Sequence, residues 1–281
     1  MGERILTNEC IRKFSIYLQN EEKSCNTQEK YIRDVKAFYQ FAGNKNVTKE
    51  VVIEYKMGLI SKKYAIRSIN SMLASLNCFF KYLGWNDLQV KSIKIQRQTY
   101  CPKEKELTKQ EYLKLVNAAG SRGNERLNLL LQTICGTGIR VSELQYITVE
   151  AAKCGEAKVL LKGKNRIVFI VSDLRKKLLN YAKRHKITSG PIFITGAGKL
   201  MSRSNIWREM KNLCVFANVN PQKVFPHNLR HLFARAFYSV KKDIAKLADV
   251  LGHSSINTTR IYITTTGDEH RRCMENLRLI I

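Results

Sequence analysis

Leu251-Gly252-His253-Ser254-Ser255-Ile256-Asn257-Thr258-Thr259-Arg260-Ile261-Tyr262 reads as a helix stop at Gly252, a histidine in the turn, a serine cap, and a short helix that finishes on a tyrosine. That spacing lets the turn and the helix end face one site. Upstream, Pro226-His227-Asn228-Leu229-Arg230-His231 starts another helix, since proline suits a first helical turn. His227 and Arg230 then share a face and reach one phosphate. A third block, Thr137-Gly138-Ile139-Arg140-Val141-Ser142-Glu143-Leu144, follows an apolar helix from Leu127 to Ile134 that ends in Cys135-Gly136-Thr137-Gly138. The two glycines let the backbone bend sharply and present Arg140 at the start of the next helix. Taken singly, the tyrosine reads as half-buried packing and the His-x-x-Arg pair as a surface salt bridge. Together, two guanidiniums, two imidazoles and a phenol suit nucleophilic attack on a phosphodiester, and nothing in the set has the character of a metal site.

Outward from these blocks, the sequence predicts a mainly α protein with a small β-sheet. The first 85 or so residues read as four helices: one carrying Ile11, Phe14, Tyr17 and Leu18, one with a capping box at Asn26 to Glu29 followed by Tyr31, Val35, Phe38 and Tyr39, one from about Thr48, and one through Ile66, Ile69, Leu73, Leu76 and Phe80 to Gly84. The helical period makes the aromatics core rather than base-stacking groups. Lys62, Lys63, Arg67 and Lys81, on or beside the fourth helix, either track phosphates or form a solvated basic face. From Trp85 to Glu106 the pattern breaks into a basic stretch with Pro102, and the domains are expected at 1–90, 91–106 (linker) and 107–281. A second capping box, Thr108 to Glu111, opens the second domain. Beyond Arg140 come a strand pair, Lys158 to Leu161 and Arg166 to Val171, around the turn Lys162-Gly163-Lys164-Asn165; a helix from Leu174 to His185; a short strand at Ile192 to Ile194; a helix from about Arg203 to Phe216; and three helices to the C-terminus. Arg97 in the linker and Arg203 at its helix start join the candidate DNA contacts.

Charge narrows the partner. Lys plus Arg number 49 against 23 Asp plus Glu, a formal charge of +26, which a polyanion would neutralise. The cations are spread along the whole length and do not gather in one amphipathic segment, which disfavours a membrane surface. No apolar run approaches the ~20 residues that cross a bilayer, and the charged start Met1-Gly2-Glu3-Arg4 precedes no signal-peptide core, so a cytoplasmic, nucleoid-associated protein is expected. The 8 cysteines stand singly with no C-x-x-C pair, against a zinc ribbon or disulfide framework.

In order and spacing these blocks resemble the tyrosine recombinase, or phage integrase, family: T-G-x-R-x-S-E-L at Thr137 to Leu144, K-G-x-x-R at Lys162 to Arg166, H-x-L-R-H at His227 to His231, and L-G-H followed by tyrosine at Leu251 to Tyr262. The resemblance covers the second half strongly as a catalytic domain and the first more loosely as a helical, SAM-like core-binding domain. It implies that Tyr262 attacks a DNA phosphate to leave a 3′-phosphotyrosine and a free 5′-hydroxyl. Arg140 and Arg230 would clamp the non-bridging oxygens, His253 would donate a further hydrogen bond, and His227 would accept the tyrosine proton or adjust the phosphate's hydrogen bonds. Lys162 would protonate the leaving oxygen. The turn is one residue shorter than the family's common G-K-G-x-K-x-R, with Leu161 where glycine is frequent, so Lys164 is the alternative acid. Glu143 would orient the arginine and histidine side chains from behind, and His231 would either do likewise or serve as structural packing.

A phosphotyrosine keeps the energy of the broken phosphodiester, so rejoining needs neither ATP nor metal, and no cofactor is expected. The implied partners are double-stranded DNA with inverted half-sites, a homotetramer on two DNA segments through exchange of the apolar tail Glu269 to Ile281, and an accessory protein in some systems. At this length, no N-terminal arm-binding domain is expected. Integration, excision or transposition of a mobile element is favoured slightly by the charge; Xer-type dimer resolution and DNA inversion are the alternatives. A type IB topoisomerase shares the catalytic logic, and a non-catalytic DNA-binding regulator would share the fold.

Overall fold

A computed structural model describes residues 3–43, 45–95, 106–161, 164–263 and 274–277, with the side chains of Leu161 and Lys164 outside that description. The chain divides into two compact units, Met1–Arg97 and Gln98–Ile281.

The first unit contains α1 (Asn8–Asn20), α2 (Cys25–Ala42), α3 (Lys49–Ser61) and α4 (Ile66–Tyr82). Their apolar positions recur at helical spacing and meet in one core, where Phe14, Leu18, Val35, Phe38, Leu73, Leu76, Phe79 and Phe80 are all buried. One polar brace crosses it. Asp34 accepts from Lys30 Nζ at 2.6 Å and from Ser75 Oγ at 2.9 Å, so the buried carboxylate keeps partners on α2 and α4. The capping box expected at Asn26 to Glu29 does not form: α2 starts a residue before Asn26, with Ser24 in the cap position, so Asn26 is already inside the first turn. Beyond α4 the chain stays attached. The Asn77 side chain exchanges two hydrogen bonds with the Val90 main chain (2.9 and 3.0 Å), and Asn70, two helical turns earlier, does the same with Ile93 (2.8 and 2.9 Å). The basic stretch after Trp85 is therefore pinned to the first unit as far as Ile93. Residues 96–105, Arg97 among them, lie outside the described residues.

In the second unit α5 (Lys109–Ser121) and α6 (Glu125–Thr137) lead to a 3₁₀ turn, Val141–Tyr146, then α7 (Val149–Cys154), strands β1 (Glu156–Leu161) and β2 (Lys164–Phe169), α8 (Ser172–Arg184), α9 (Arg203–Ala217), a 3₁₀ turn at Pro221–Lys223, α10 (Pro226–Lys241), α11 (Ile244–Leu251) and α12 (Ile256–Tyr262). The Thr108–Glu111 capping box is formed in both directions. Helix α6 continues through Gly136 to Thr137 and stops at Gly138, three residues beyond the Ile134 end the sequence suggested. It is the spine of the unit: Leu127, Leu130, Leu131 and Ile134 are buried among Leu115 of α5, Leu178 of α8, Met210 of α9 and Leu229 of α10. The strands pair antiparallel from Glu156 opposite Phe169 to Leu161 opposite Lys164. The third strand expected at Ile192 to Ile194 is reduced to isolated bridges, Thr148 with Pro191 and Ile194 with Leu200. Residues 191–200 reverse direction too soon for a ladder to propagate. Among the described residues no helix is long and apolar enough to cross a membrane.

Candidate active site

Three backbone turns bring the predicted side chains together. At the end of α6, Gly138 adopts φ +64°, and a Cβ there would lie 2.4 Å from Phe233 Cδ1 of α10, so only glycine allows both the left-handed turn and this close approach. The turn delivers Arg140, whose main-chain N–H donates to Glu143 Oε2 at 3.0 Å while its Nη1 donates to Oε1 at 2.8 Å. Pro226 occupies the first turn of α10, and His227, Arg230 and His231 then fall on one face. Gly252, φ +64°, ends α11 and turns the chain through His253 into α12, at whose end Tyr262 is 6% exposed.

Arg230 is almost fully enclosed and spends its donors on the protein: Nη1 on Gly138 O at 2.5 Å, Nη2 on Leu251 O at 2.7 Å and on His253 Nε2 at 2.9 Å. Its Nε, like that of Arg166, is buried with no hydrogen-bond partner among the described residues. Burial, then Arg140, pushes its pKa down to about 10, still charged at neutral pH. An arginine cannot accept, so His253 Nε2 offers a lone pair to it, and the proton sits on Nδ1, donated to Thr259 Oγ1 at 2.9 Å. Burial first, and then Arg230, Arg140 and Arg166, depress His253 to about 4, in keeping with a neutral ring.

Tyr262 lies in a cage of imidazoles. Its Oη is 3.2 Å from His227 Nε2. The His231 ring stacks on the phenol at 4.1 Å and 16°, the His253 ring stands 4.9 Å away, and the Arg230 guanidinium is 5.8 Å from the phenol centroid. Burial, aided by Arg230 and Arg140, lowers the pKa of His227, and burial with His227 and Arg235 brings His231 to about 4. A neutral His227 with its proton on Nδ1 would face the phenol hydroxyl with a lone pair, the arrangement a proton acceptor needs.

Glu143 orients arginines rather than a histidine. Its carboxylate is 1% exposed and also accepts from Arg166 Nη2 at 2.5 Å. Burial pushes this carboxyl up, but the Arg140 main-chain N–H and the two guanidiniums outweigh it and hold it below the ordinary value. Arg166 closes the Lys162–Arg166 motif, and the sequence alone assigns it no role. Its signal was parity: Arg166 and Val168 alternate on the inward side of the second strand, in step with the buried Ile170 just beyond it, and a charge there must have a partner. Thr259 was also missed, although it precedes Tyr262 by one helical turn on the same face and is fully buried.

Lys162 lies outside the described residues, as does the side chain of Lys164, the first residue of β2. In the first unit, Lys62, Lys63 and Arg67 are exposed and close in sequence around the α3–α4 corner. Lys81, also exposed, is separated from Arg67 by about 21 Å of α4 at 1.5 Å per residue, so it does not join their cluster. Arg203 is exposed at the first turn of α9. Among the described residues no group of three or more His, Cys, Asp or Glu side chains could hold a metal ion.

The phage integrase family model matches residues 105–269, and the model for the phage integrase N-terminal SAM-like domain matches residues 11–87. Tyrosine recombinase XerA of Pyrococcus furiosus is 30% identical over 289 aligned positions that cover 100% of this chain and 98% of the relative. Tyrosine recombinase XerD of Halalkalibacterium halodurans is 28% identical over 94% of this chain and 95% of its own length. Among solved structures, XerA recombinase aligns at 26% identity with a TM-score of 0.55 over 98% of this chain and 100% of that one. A lambda integrase dimer bound to a core site aligns at 17% identity with a TM-score of 0.74 over 92% and 95%, a likeness of fold.

Proposed function

The chain belongs to the phage integrase family of tyrosine recombinases, enzymes that cleave and rejoin DNA strands, and we propose that it does so through Tyr262. The observation that carries this reading is the hydroxyl of Tyr262 at 3.2 Å from a neutral His227 nitrogen, beside the buried Arg230. The phenol oxygen attacks the DNA phosphorus as its proton passes to His227 Nε2. The bond from phosphorus to the 5′-oxygen breaks, leaving a 3′-phosphotyrosine, and Lys162 or Lys164 supplies the proton that makes the 5′-hydroxyl. Arg140 and the unspent donors of Arg230 hold the non-bridging oxygens, whose charge grows in the transition state.

His253 needs one rearrangement for its expected part. In the DNA-free site it accepts from Arg230, and to donate to a phosphate it must carry a proton on Nε2. An entering phosphate favours that change, because it draws the Arg230 donor to itself and its negative charge favours a protonated imidazole.

The substrate we infer is double-stranded DNA with two inverted half-sites, bound by a homotetramer. The structure of a lambda integrase tetramer bound to a Holliday junction, at a TM-score of 0.75, supports that reading by its shared fold. End-to-end similarity to recombinases named XerA and XerD favours Xer-type resolution. The mobile-element reading rests on the charge of +26. The test of the chemistry is a nicked suicide DNA, drawn from the genomic flanks of the gene, incubated with protein in EDTA and run on a denaturing protein gel. A shifted covalent band that Tyr262→Phe abolishes, with DNA binding kept, is the expected result; a band that survives Tyr262→Phe overturns it.

A further inference from the structure

Helix α11 ends on three consecutive main-chain carbonyls, each taken by a different arginine. Val250 O accepts from Arg166 Nη1 at 2.8 Å, Leu251 O from Arg230 Nη2 at 2.7 Å, and Gly252 O from Arg140 Nη2 at 3.3 Å. A helix C-terminus carries partial negative charge on these groups and draws cations. Two of the three arginines belong to the phosphate clamp. Arg166 does not: it comes from β2, paired with the buried Val159 on the inward face of the hairpin, and its side chain is 11% exposed.

Arg166 works in two directions at once. One end nitrogen holds the α11 carbonyl, and the other meets Glu143 Oε2 at 2.5 Å. That carboxylate in turn fixes Arg140 through its main-chain N–H and its guanidinium. The Arg166 side chain also lies flat on Gly252, where an added Cβ would stand 2.3 Å from its Cδ. The helix end so held leads directly into His253 and, ten residues after Gly252, Tyr262. We propose that Arg166 is a positioning residue for strand cleavage, tying the carboxylate that orients Arg140 to the helix end that delivers His253 and Tyr262. Clamp and nucleophile are thereby kept in one register. The planar fork is required, because a lysine ammonium reaches the carboxylate or the carbonyl but does not bridge them with fixed geometry. This inference rests on the tyrosine reading above.

The test compares wild type, Arg166→Met, Arg166→Lys, Glu143→Gln and the Arg166→Met/Glu143→Gln double variant on the suicide DNA. Single-turnover cleavage at saturating DNA should fall about a hundredfold in Arg166→Met, the scale set by misplacing reacting groups by about 1 Å. DNA affinity should stay within about threefold, since a residue that acts only by positioning Glu143 and the α11 end neutralises no phosphate. Arg166→Lys should resemble Arg166→Met, and the double variant should be no slower than the slower single, because the two residues form one strut. In DNA-free protein, hydrogen exchange should speed up at residues 250–262 and remain unchanged in α5 and α6. The proposal is overturned by cleavage within about threefold of wild type, by equal losses of affinity and rate, or by additive losses in the double variant. Exchange that rises throughout the unit overturns it as well. If wild type itself forms no covalent product, the tyrosine reading fails, and the exchange experiment still decides whether Arg166 holds the α11–α12 segment.

Discussion

Replacing Glu143 by glutamine keeps the shape of the side chain and removes its charge, at the point where Arg140 and Arg166 meet one carboxylate. The wild-type group accepts three N–H donors, at 3.0, 2.8 and 2.5 Å. Glutamine has a single acceptor oxygen and must turn its NH2 toward one guanidinium, which then loses a partner and faces a donor. Removing one partner of a buried ion pair costs about 3–5 kcal/mol. Arg140, 34% exposed, recovers part of this from water, which places the cost near the low end, about 3 kcal/mol. For a unit the size of Gln98–Ile281, each kcal/mol moves the melting midpoint by about 2–4 °C, so a fall of about 6–12 °C is expected. The difference must also depend on pH. The folded-state pKa of Glu143 lies below its ordinary 4.5, so its contribution is complete above about pH 4.5 and is lost as pH falls through the lowered folded value. Calorimetry of both proteins should show a constant gap between about pH 6 and 8 that closes in acid. A midpoint within about 2 °C of wild type at neutral pH, or a gap that widens in acid, would refute the reasoning.

His227→Gln should slow cleavage at saturating DNA by about 10² to 10⁴, the range of general base catalysis. For wild type at limiting DNA the rate should decline only below pH 6.5, since His227 must be neutral to take the tyrosine proton and its pKa is depressed; an acid limb centred well above 6.5 contradicts this. Gly252→Ala places alanine at φ +64°, about 1–2 kcal/mol of backbone strain, and drives a methyl into Arg166, so both melting midpoint and cleavage rate should drop; normal values for both would show the packing to be wrong. If Arg67 contacts a phosphate, Arg67→Ala should reduce the slope of log affinity against log salt by about 0.9, measured by fluorescence anisotropy, and an unchanged slope returns Arg67 to the solvated basic face.

The parts of the site legible in the sequence are those set by local backbone demands. Gly138 and Gly252 announce left-handed helix ends, Pro226 a helix start, and each puts a reactive side chain a fixed number of residues away. The first-unit core was legible for the same reason, since Phe14, Leu18, Val35 and Phe38 follow one helical period. What escaped depends on tertiary placement or on short range. Arg166 acquires its role only when β2 lies against the end of α11, and Thr259 only when His253 turns back on α12. Helix α7 was not anticipated, although Thr148 caps it through the Ala151 N–H at 3.1 Å and Gly155 ends it; six residues are too few to show a period. The cap at Asn26 failed because α2 already begins at Cys25, with Ser24 in the cap position and its hydroxyl turned to Thr27 Oγ1 at 2.9 Å rather than to a main-chain N–H.

The central claim is that Tyr262 becomes covalently joined to DNA. The direct measurement is mass spectrometry of the adduct trapped on nicked suicide DNA, after protease and nuclease digestion. The account predicts a single modified peptide with the phosphate on Tyr262, joined to the 3′-end of the cleaved strand, and a free 5′-hydroxyl on the released fragment. Attachment at another residue, or a 5′-linked adduct, would contradict it.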